Sequence, residues 1–336
     1  MATSNDGPLS RRNALGMMAR VGAAVGITSS FGPSMAASDF PSRTIRLVVP
    51  FAPGGSTDIL GRLLARHLFS DAGQPSVVEN KPGAGGNIGA RLVALAPADG
   101  YTLEIGAMST HAINGSLYKA LPFDPMGDFE AIAMLAYAIN VVAVSNKVPA
   151  KTFPELLAYI RANPGKVTYA SGGIGTHNHL TLALLAKKAG LDIVHVPYKG
   201  GGPAVMALMQ GECDFYSGGA SLLLPHAKTG KIRILAVTES APTDLLPGVP
   251  SVSETIKDFE VTNWYGVFGP KGMEGSLKTR INEEVNRITA LPDVSERLTA
   301  MGMVREPASP TRLQEILKAD YQLWSSTIES MGIKAE

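Results

Sequence analysis

Four glycine-rich runs hold the residues best suited to chemistry, and that chemistry is capture of an anion by backbone. They are Pro50-Phe51-Ala52-Pro53-Gly54-Gly55-Ser56-Thr57-Asp58, Asn80-Lys81-Pro82-Gly83-Ala84-Gly85-Gly86-Asn87-Ile88-Gly89, Ala170-Ser171-Gly172-Gly173-Ile174-Gly175-Thr176-His177 and Pro197-Tyr198-Lys199-Gly200-Gly201-Gly202-Pro203. Glycine lets backbone approach a ligand, serine and threonine suit the position before a helix, and the free amides of a first helical turn attract negative charge. Each such helix end contributes about 0.3–1 kcal/mol, and more when shielded from water. One run alone reads equally well as a turn whose glycines only solve backbone geometry. Two in each half of the chain together make a site for a carboxylate. No arginine lies in any of them, so a guanidinium fork is not indicated. Lys81 and Lys199 are assigned to the solvated rim.

Rival chemistries fit less well. Gly55-Ser56 is followed by Thr57-Asp58 and not by a residue and a glycine, so the nucleophile elbow of a hydrolase is missing. Asp58 reads as favourable charge in a first helical turn. His177 and His179 are two apart and point to different faces of a helix, which suits no shared metal. His179 is expected inside its lobe and His177 towards the ligand. Residues 83–89 imitate a dinucleotide fingerprint without its spacing or its ribose-binding acid. The lone Cys213 has no partner for an internal disulfide and reads as a small buried residue. No catalytic residue, metal or cofactor is expected.

The runs need elements to position them. Apolar β-branched stretches at 44–49, 77–79, 101–105, 167–170, 193–196 and 232–237 alternate with helical spacing at 59–69, 88–95, 177–189 and 204–210. Thr152-Phe153-Pro154-Glu155 is a capping box opening a helix to Ala162, and residues 277–331 are nearly all helical. This alternation predicts α/β lobes with largely parallel sheets and ligands beyond the strands' carboxyl ends. Strand-like segments at 140–145 and 264–268 bracket a block with its own repeats, as in a chain that leaves one lobe, builds a second and returns. The expected division is residues 37–140 plus 264–336 for one lobe and 141–263 for the other. Trp264-Tyr265, at the second crossover, either packs the hinge or presents a ring to the cleft.

The first 36 residues stand apart. Paired arginines at Arg11 and Arg12, a mildly apolar stretch at 14–27 and Ser34-Met35-Ala36-Ala37 read as a twin-arginine export signal cleaved near Ala36-Ala37. The periplasm is therefore the expected address. Removing the leader takes away Arg11, Arg12, Arg20 and Asp6 and leaves a near-neutral chain, with no electrostatic footprint for nucleic acid. Later apolar runs are too short for membrane insertion. A monomer is expected.

Three segments carry a resemblance. Val49-Pro50-Phe51-Ala52-Pro53-Gly54-Gly55-Ser56-Thr57-Asp58, Glu79-Asn80-Lys81-Pro82-Gly83-Ala84-Gly85-Gly86-Asn87-Ile88-Gly89 and His195-Val196-Pro197-Tyr198-Lys199-Gly200-Gly201-Gly202-Pro203-Ala204 resemble signatures of the tripartite tricarboxylate transporter substrate receptors, the Bug family. Supporting matches are Tyr169 to Thr176 with His179-Leu180, Leu246-Pro247-Gly248-Val249-Pro250-Ser251-Val252, and Trp264-Tyr265-Gly266, in family order along the chain. The resemblance implies a class II periplasmic-binding-protein fold: two α/β lobes joined by two crossover strands, with the ligand cleft between them. It implies a receptor that binds a small-molecule carboxylate and delivers it to membrane transporter subunits. Carried over by motif, the carboxylate is held by Ala52, Gly54, Gly55, Ser56 and Thr57 from one lobe and by Ser171, Gly173, Gly175 and Thr176 from the other. Gly86 and Asn87 line the same cleft. Ser109, Thr110 and His111, with Gly218, Gly219 and Ala220, are the positions suggested for recognising the rest of the ligand. The His177-Asn178-His179 run departs from the small residues commoner there. A sensor subunit for a signalling partner is the alternative role, with a secreted hydrolase a more distant one.

Overall fold

In a computed structural model of the chain, residues 40–334 are described; the leader and its cleavage site lie outside them. The apolar run of β1 (Ile45–Val49) lies between two parallel neighbours, β2 (Ser76–Asn80) and β3 (Thr102–Ala107). On the far side of β3 the strands reverse. β10 (Asn263–Pro270) runs antiparallel to both β3 and β4 (Phe129–Ala138), and β11 (Met303–Val304) closes the edge beside β4. This six-stranded sheet has the order β11-β4-β10-β3-β1-β2.

The second sheet has five strands. β5 (Asn140–Ser145), β6 (Thr168–Ser171), β7 (Val194–Pro197), β8 (Phe215–Gly219) and β9 (Ile232–Val237) lie in the order β7-β6-β8-β5-β9. β6 pairs in parallel with β7 and β8, whereas β5 runs antiparallel to β8 and β9. Both sheets are thus mixed. The expectation of largely parallel sheets failed because one strand that carries the chain between lobes runs against the βα repeats in each sheet, β10 in the first and β5 in the second, and β11 runs with β10.

The chain passes from the first sheet to the second through a single residue. Ile139 sits between β4 and β5; its N–H donates to the Gly302 carbonyl at 2.9 Å and its carbonyl accepts from Ala220 N–H at 2.7 Å. The return runs from Thr238 to β10 through a short helical turn at Val252–Glu254, where Ser251 and Glu254 form a reciprocal capping box.

Helices cover the sheets. α1 (Ser56–His67) buries Leu60, Gly61 and Leu64, with Asp58 in its first turn and Arg66 and His67 in its last, matching its dipole. α2 (Asn87–Ala94) and the short α3 (Asn114–Leu117) follow in the same lobe. In the second lobe α4 (Phe153–Ala162) is capped by the Thr152 hydroxyl on Glu155 N–H, and α5 (His177–Ala189), α6 (Gly201–Gln210) and α7 (Ala220–Lys228) follow. α8 (Gly275–Thr289), α9 (Pro292–Ala300) and α10 (Pro310–Met331) complete the chain. α10 packs on β4 and α3 and also reaches α5, where the Lys187 ammonium donates to the Ser330 hydroxyl at 2.6 Å. One apolar cluster runs through both lobes, from Val48, Ala112 and Trp264 to Trp324, Leu184 and Phe215. Burial of this kind contributes about 25 cal/mol per Å² of apolar surface.

Candidate functional site

The first lobe brings three turns together at the carboxyl ends of β1, β2 and β3. The turn after β1 is braced from behind by Asp58, which is 3% exposed. Its carboxylate accepts from Gly54 N–H at 2.9 Å, Asn80 Nδ2 at 2.9 Å and Arg62 Nε at 3.0 Å. The Arg62 hydrogen bond, helped by Gly54 and Asn80, holds this carboxyl near 2, against the opposing effect of burial. Asn80 Nδ2 also reaches the Phe51 carbonyl at 3.1 Å. Arg62 therefore stands behind the turn and neutralises the acid, leaving the start of α1 receptive to a second anion.

The turn after β2 abuts the first. Gly86 has φ +99, and a Cβ there would lie 2.5 Å from Thr110 Cγ2 and 3.2 Å from the Phe51 ring, so only glycine fits. Asn114 Nδ2 holds the turn through Gly85 O at 3.0 Å and Asn87 Oδ1 at 2.6 Å. After β3 the chain winds as a π-helical turn, Ser109–Ile113, a distortion that recurs at functional sites. Ser109 stays half-buried.

Thr110 and His111 roll inwards. The Thr110 hydroxyl is spent on Ala107, donating to its carbonyl at 2.8 Å. His111 stacks on Phe268 at 3.9 Å between ring centroids, with its Nε2 3.2 Å from a Glu104 oxygen, and His111 and Glu104 are both 0% exposed. The structure places these two suggested side chains in the core, because the wide π-helical turn rotates them beneath the sheet's end.

In the second lobe the turns after β6, β7 and β8 converge. Gly200 N–H donates to Gly172 O at 3.0 Å, and Asn178 Nδ2 donates to Ser217 O at 2.8 Å beside Gly218. The Thr176 hydroxyl closes the turn on Gly173 O at 2.7 Å. Gly175 carries φ +76 and a Cβ there would meet Leu117 of the first lobe at 2.5 Å, so only glycine fits at this contact between the two lobes.

Several expected donors are already engaged. Gly54 N–H is taken by Asp58, and Gly175 N–H donates to His179 Nδ1 at 3.0 Å. Ser171, 0% exposed, has its hydroxyl 2.6 Å from His195 Nε2 and 3.0 Å from the Gly173 nitrogen that donates to it. Ala220 N–H belongs to the Ile139 crossover. His177 points at Trp324 of α10, 6.4 Å between centroids and edge-on, and burial holds it near 4. What remains at the two turns are the first-turn amides: α1 and α5 both begin without any side-chain cap. Ala52, Gly55, Ser56 and Thr57 sit at the first of these starts and Thr176 at the second, whereas the Gly173 N–H is already given to Ser171. Gly86 lies against Phe51 and Gly218 beside Asn178, while Asn87 opens α2, Ser109 opens the π-helical turn and Gly219 ends β8.

The second crossover adds a residue that sequence reasoning left undecided. Trp264 is buried and bonded to Asp320, whereas Tyr265, on the opposite face of β10, meets Ser56 and Asn263 through its hydroxyl. Strand alternation separates the two rings, so one packs the hinge and the other reaches the first turn. His195, Asn114 and Asn178 were also missed as turn-bracing residues; only the motif containing His195 hinted at it. Among the described residues, no group of three or more His, Cys, Asp or Glu is arranged to hold a metal.

The chain is similar in sequence and fold to known proteins. A model of the tripartite tricarboxylate transporter family receptor matches residues 60–333. A protein from the tcbD–tcbE intergenic region of Pseudomonas sp. strain P51 is 35% identical over 316 residues, covering 94% of each chain. Among solved structures, Rpa4515 of R. palustris with adipate is 32% identical with a TM-score of 0.76, covering 88% of this chain and 99% of that one. MatC of Rhodopseudomonas palustris with bound malate is 30% identical with a TM-score of 0.71, covering 86% and 100%.

Proposed function

Because the chain belongs to the tripartite tricarboxylate transporter receptor family, we propose that it captures a short dicarboxylate between its lobes and delivers it to the membrane subunits of such a transporter. Receptors of this family bind a small organic acid for transport and are not enzymes. The observation that carries the reading is the pair of uncapped helix starts, α1 and α5, one from each lobe. A carboxylate between them would be held by neutral amides and two helix dipoles. The Ser171–His195 contact resembles a nucleophile and base, but its serine oxygen is tied into its own turn by Gly173. The dicarboxylate class is supported by relatives of similar fold solved with adipate and with malate. The leader at 1–36, with Arg11, Arg12 and the small residues before Ala37, supports export to the periplasm.

Thermal-shift titration with adipate, malate, monocarboxylates, amino acids and aromatic acids tests the reading. Saturation at a hundred times the dissociation constant should add about 2.7 kcal/mol to stability. No shift with any of these acids would remove it. Delivery is tested by uptake of the acid so identified, which should stop in cells lacking the receptor and return with it.

A further inference from the structure

Beneath the third glycine-rich turn, the two imidazoles that contact it, His179 and His195, also pack on each other. The His179 and His195 rings stack at 3.9 Å between centroids with an interplanar angle of 13°. Tyr169 stacks against His195 at 4.9 Å, and the register of β6 and β7 puts Tyr169 directly beside it. Each imidazole touches a different point of the same turn: His179 Nδ1 accepts from Gly175 N–H at 3.0 Å, and His195 Nε2 lies 2.6 Å from Ser171 Oγ. Ser171 Oγ in turn accepts from Gly173 N–H.

We propose that His179 and His195 are positioning residues for ligand binding, holding the Ser171–Thr176 turn so that the first amides of α5 stay aimed into the cleft. The turn contains three glycines besides Ser171, Ile174 and Thr176. Such a segment loses more conformational freedom on ordering than any other composition. A turn ordered before the ligand arrives spares that cost at binding. The His179 contact requires a lone pair on Nδ1, since a protonated ring would set N–H against N–H. Burial, with the neighbouring His195 adding to it, holds His179 near 4, so the lone pair is present at neutral pH. Tyr169, Lys187 and Asp192 line the groove beside the ring.

The inference rests on the carboxylate-receptor reading, so the test has one arm that needs no ligand. His179→Asn keeps an acceptor at the Nδ1 position, His179→Leu removes it, and His195→Gln and His195→Phe form the matching pair at Nε2. Dissociation constants for adipate and malate, melting temperatures and hydrogen exchange of the 171–178 peptide are measured for each. His179→Asn and His195→Gln should bind within about threefold of the parent, while His179→Leu and His195→Phe lose about tenfold or more. Exchange in the 171–178 peptide should accelerate about tenfold in the Leu and Phe variants only, with other peptides unchanged. Equal losses in Asn and Leu, or unchanged exchange in Leu, would overturn the proposal. If the parent binds neither acid, the choice of ligand fails and the exchange comparison still decides whether the two rings order the turn.

Discussion

The Trp264 indole N–H donates to the Asp320 carboxylate at 2.6 Å, fastening the strand that returns from the second lobe to the C-terminal helix. Asp320 and Glu239 line one cavity of about 730 Å³ beside the crossovers, together with Glu260 and Glu306. Burial lifts Asp320 from 3.8 to about 6, against the Trp264 hydrogen bond, and lifts Glu239 from 4.5 to about 7, against the Asn140 amide. Both native carboxyls bind protons more readily than the unfolded chain. The stability they contribute is therefore full below their ordinary values and is lost as pH rises through about 6 and about 7. Asp320→Asn and Glu239→Gln should each raise stability at pH 8, on the order of 1–2 kcal/mol, with little change at pH 4. Urea melts across that range measure it. A parent-like slope in both variants would contradict the assignment.

Asp58 titrates with the opposite sign. Its native carboxyl is held near 2, below the ordinary 3.8, so its stabilisation is present above 3.8 and is lost as pH falls towards 2. Asp58→Ala leaves Gly54 N–H and Asn80 without their acceptor and should cost about 1.5–3 kcal/mol at pH 7. Ligand affinity should fall as well, about tenfold, because the first turn loses its brace. Denaturant unfolding and calorimetric titration separate the two effects.

Gly55 and Lys199 discriminate a backbone site from a charged one. Gly55 has φ −79, and its added Cβ would meet nothing closer than Ala52 O at 3.8 Å. Gly55→Val should therefore fold normally yet crowd the start of α1, lowering affinity about tenfold or more with the melting temperature nearly unchanged. Lys199 is exposed, and Lys199→Ala should bind within about twofold of the parent. A loss at Lys199 matching that at Gly55 would show that charge, not backbone, holds the anion.

The chain has two tryptophans, and they should report differently on binding. Trp324 faces His177 of the opposite lobe, whereas Trp264 is fixed within the crossover by Asp320. Ligand addition should change the emission of the parent and of Trp264→Phe, and the change should vanish in Trp324→Phe. Persistence in Trp324→Phe would move the reporter to the crossover.

Much of this was readable beforehand, for reasons tied to particular residues. The βα turns announced themselves because glycine, serine and threonine cluster where β-branched runs stop. The strand β4 did not: Phe129–Ala138 has four alanines, a leucine and a methionine, which favour helix, and is buried at nearly every position, so no alternation marks it. Helix α7 was hidden by Pro225 in its interior. Thr110 and His111 were assigned to the cleft because they follow a strand; nothing in their order shows that a π-helical turn rolls them inwards. The Asp58–Gly54 and His179–Gly175 contacts span four residues, within reach of local reasoning. The Ser171–His195 contact spans 24 and exists only once β6 and β7 pair.

Ile139 has its amide committed to one side of the crossover and its carbonyl to the other. A joint pinned in this way leaves little slack chain to become ordered when the lobes approach. A closure built on this joint should be a pivot about a near-fixed fulcrum, in which a small rotation at the strands becomes a larger sweep at the glycine turns. The entropic toll of closing should accordingly be small, and most of the ligand's binding free energy should appear as affinity instead of being spent on stiffening a linker.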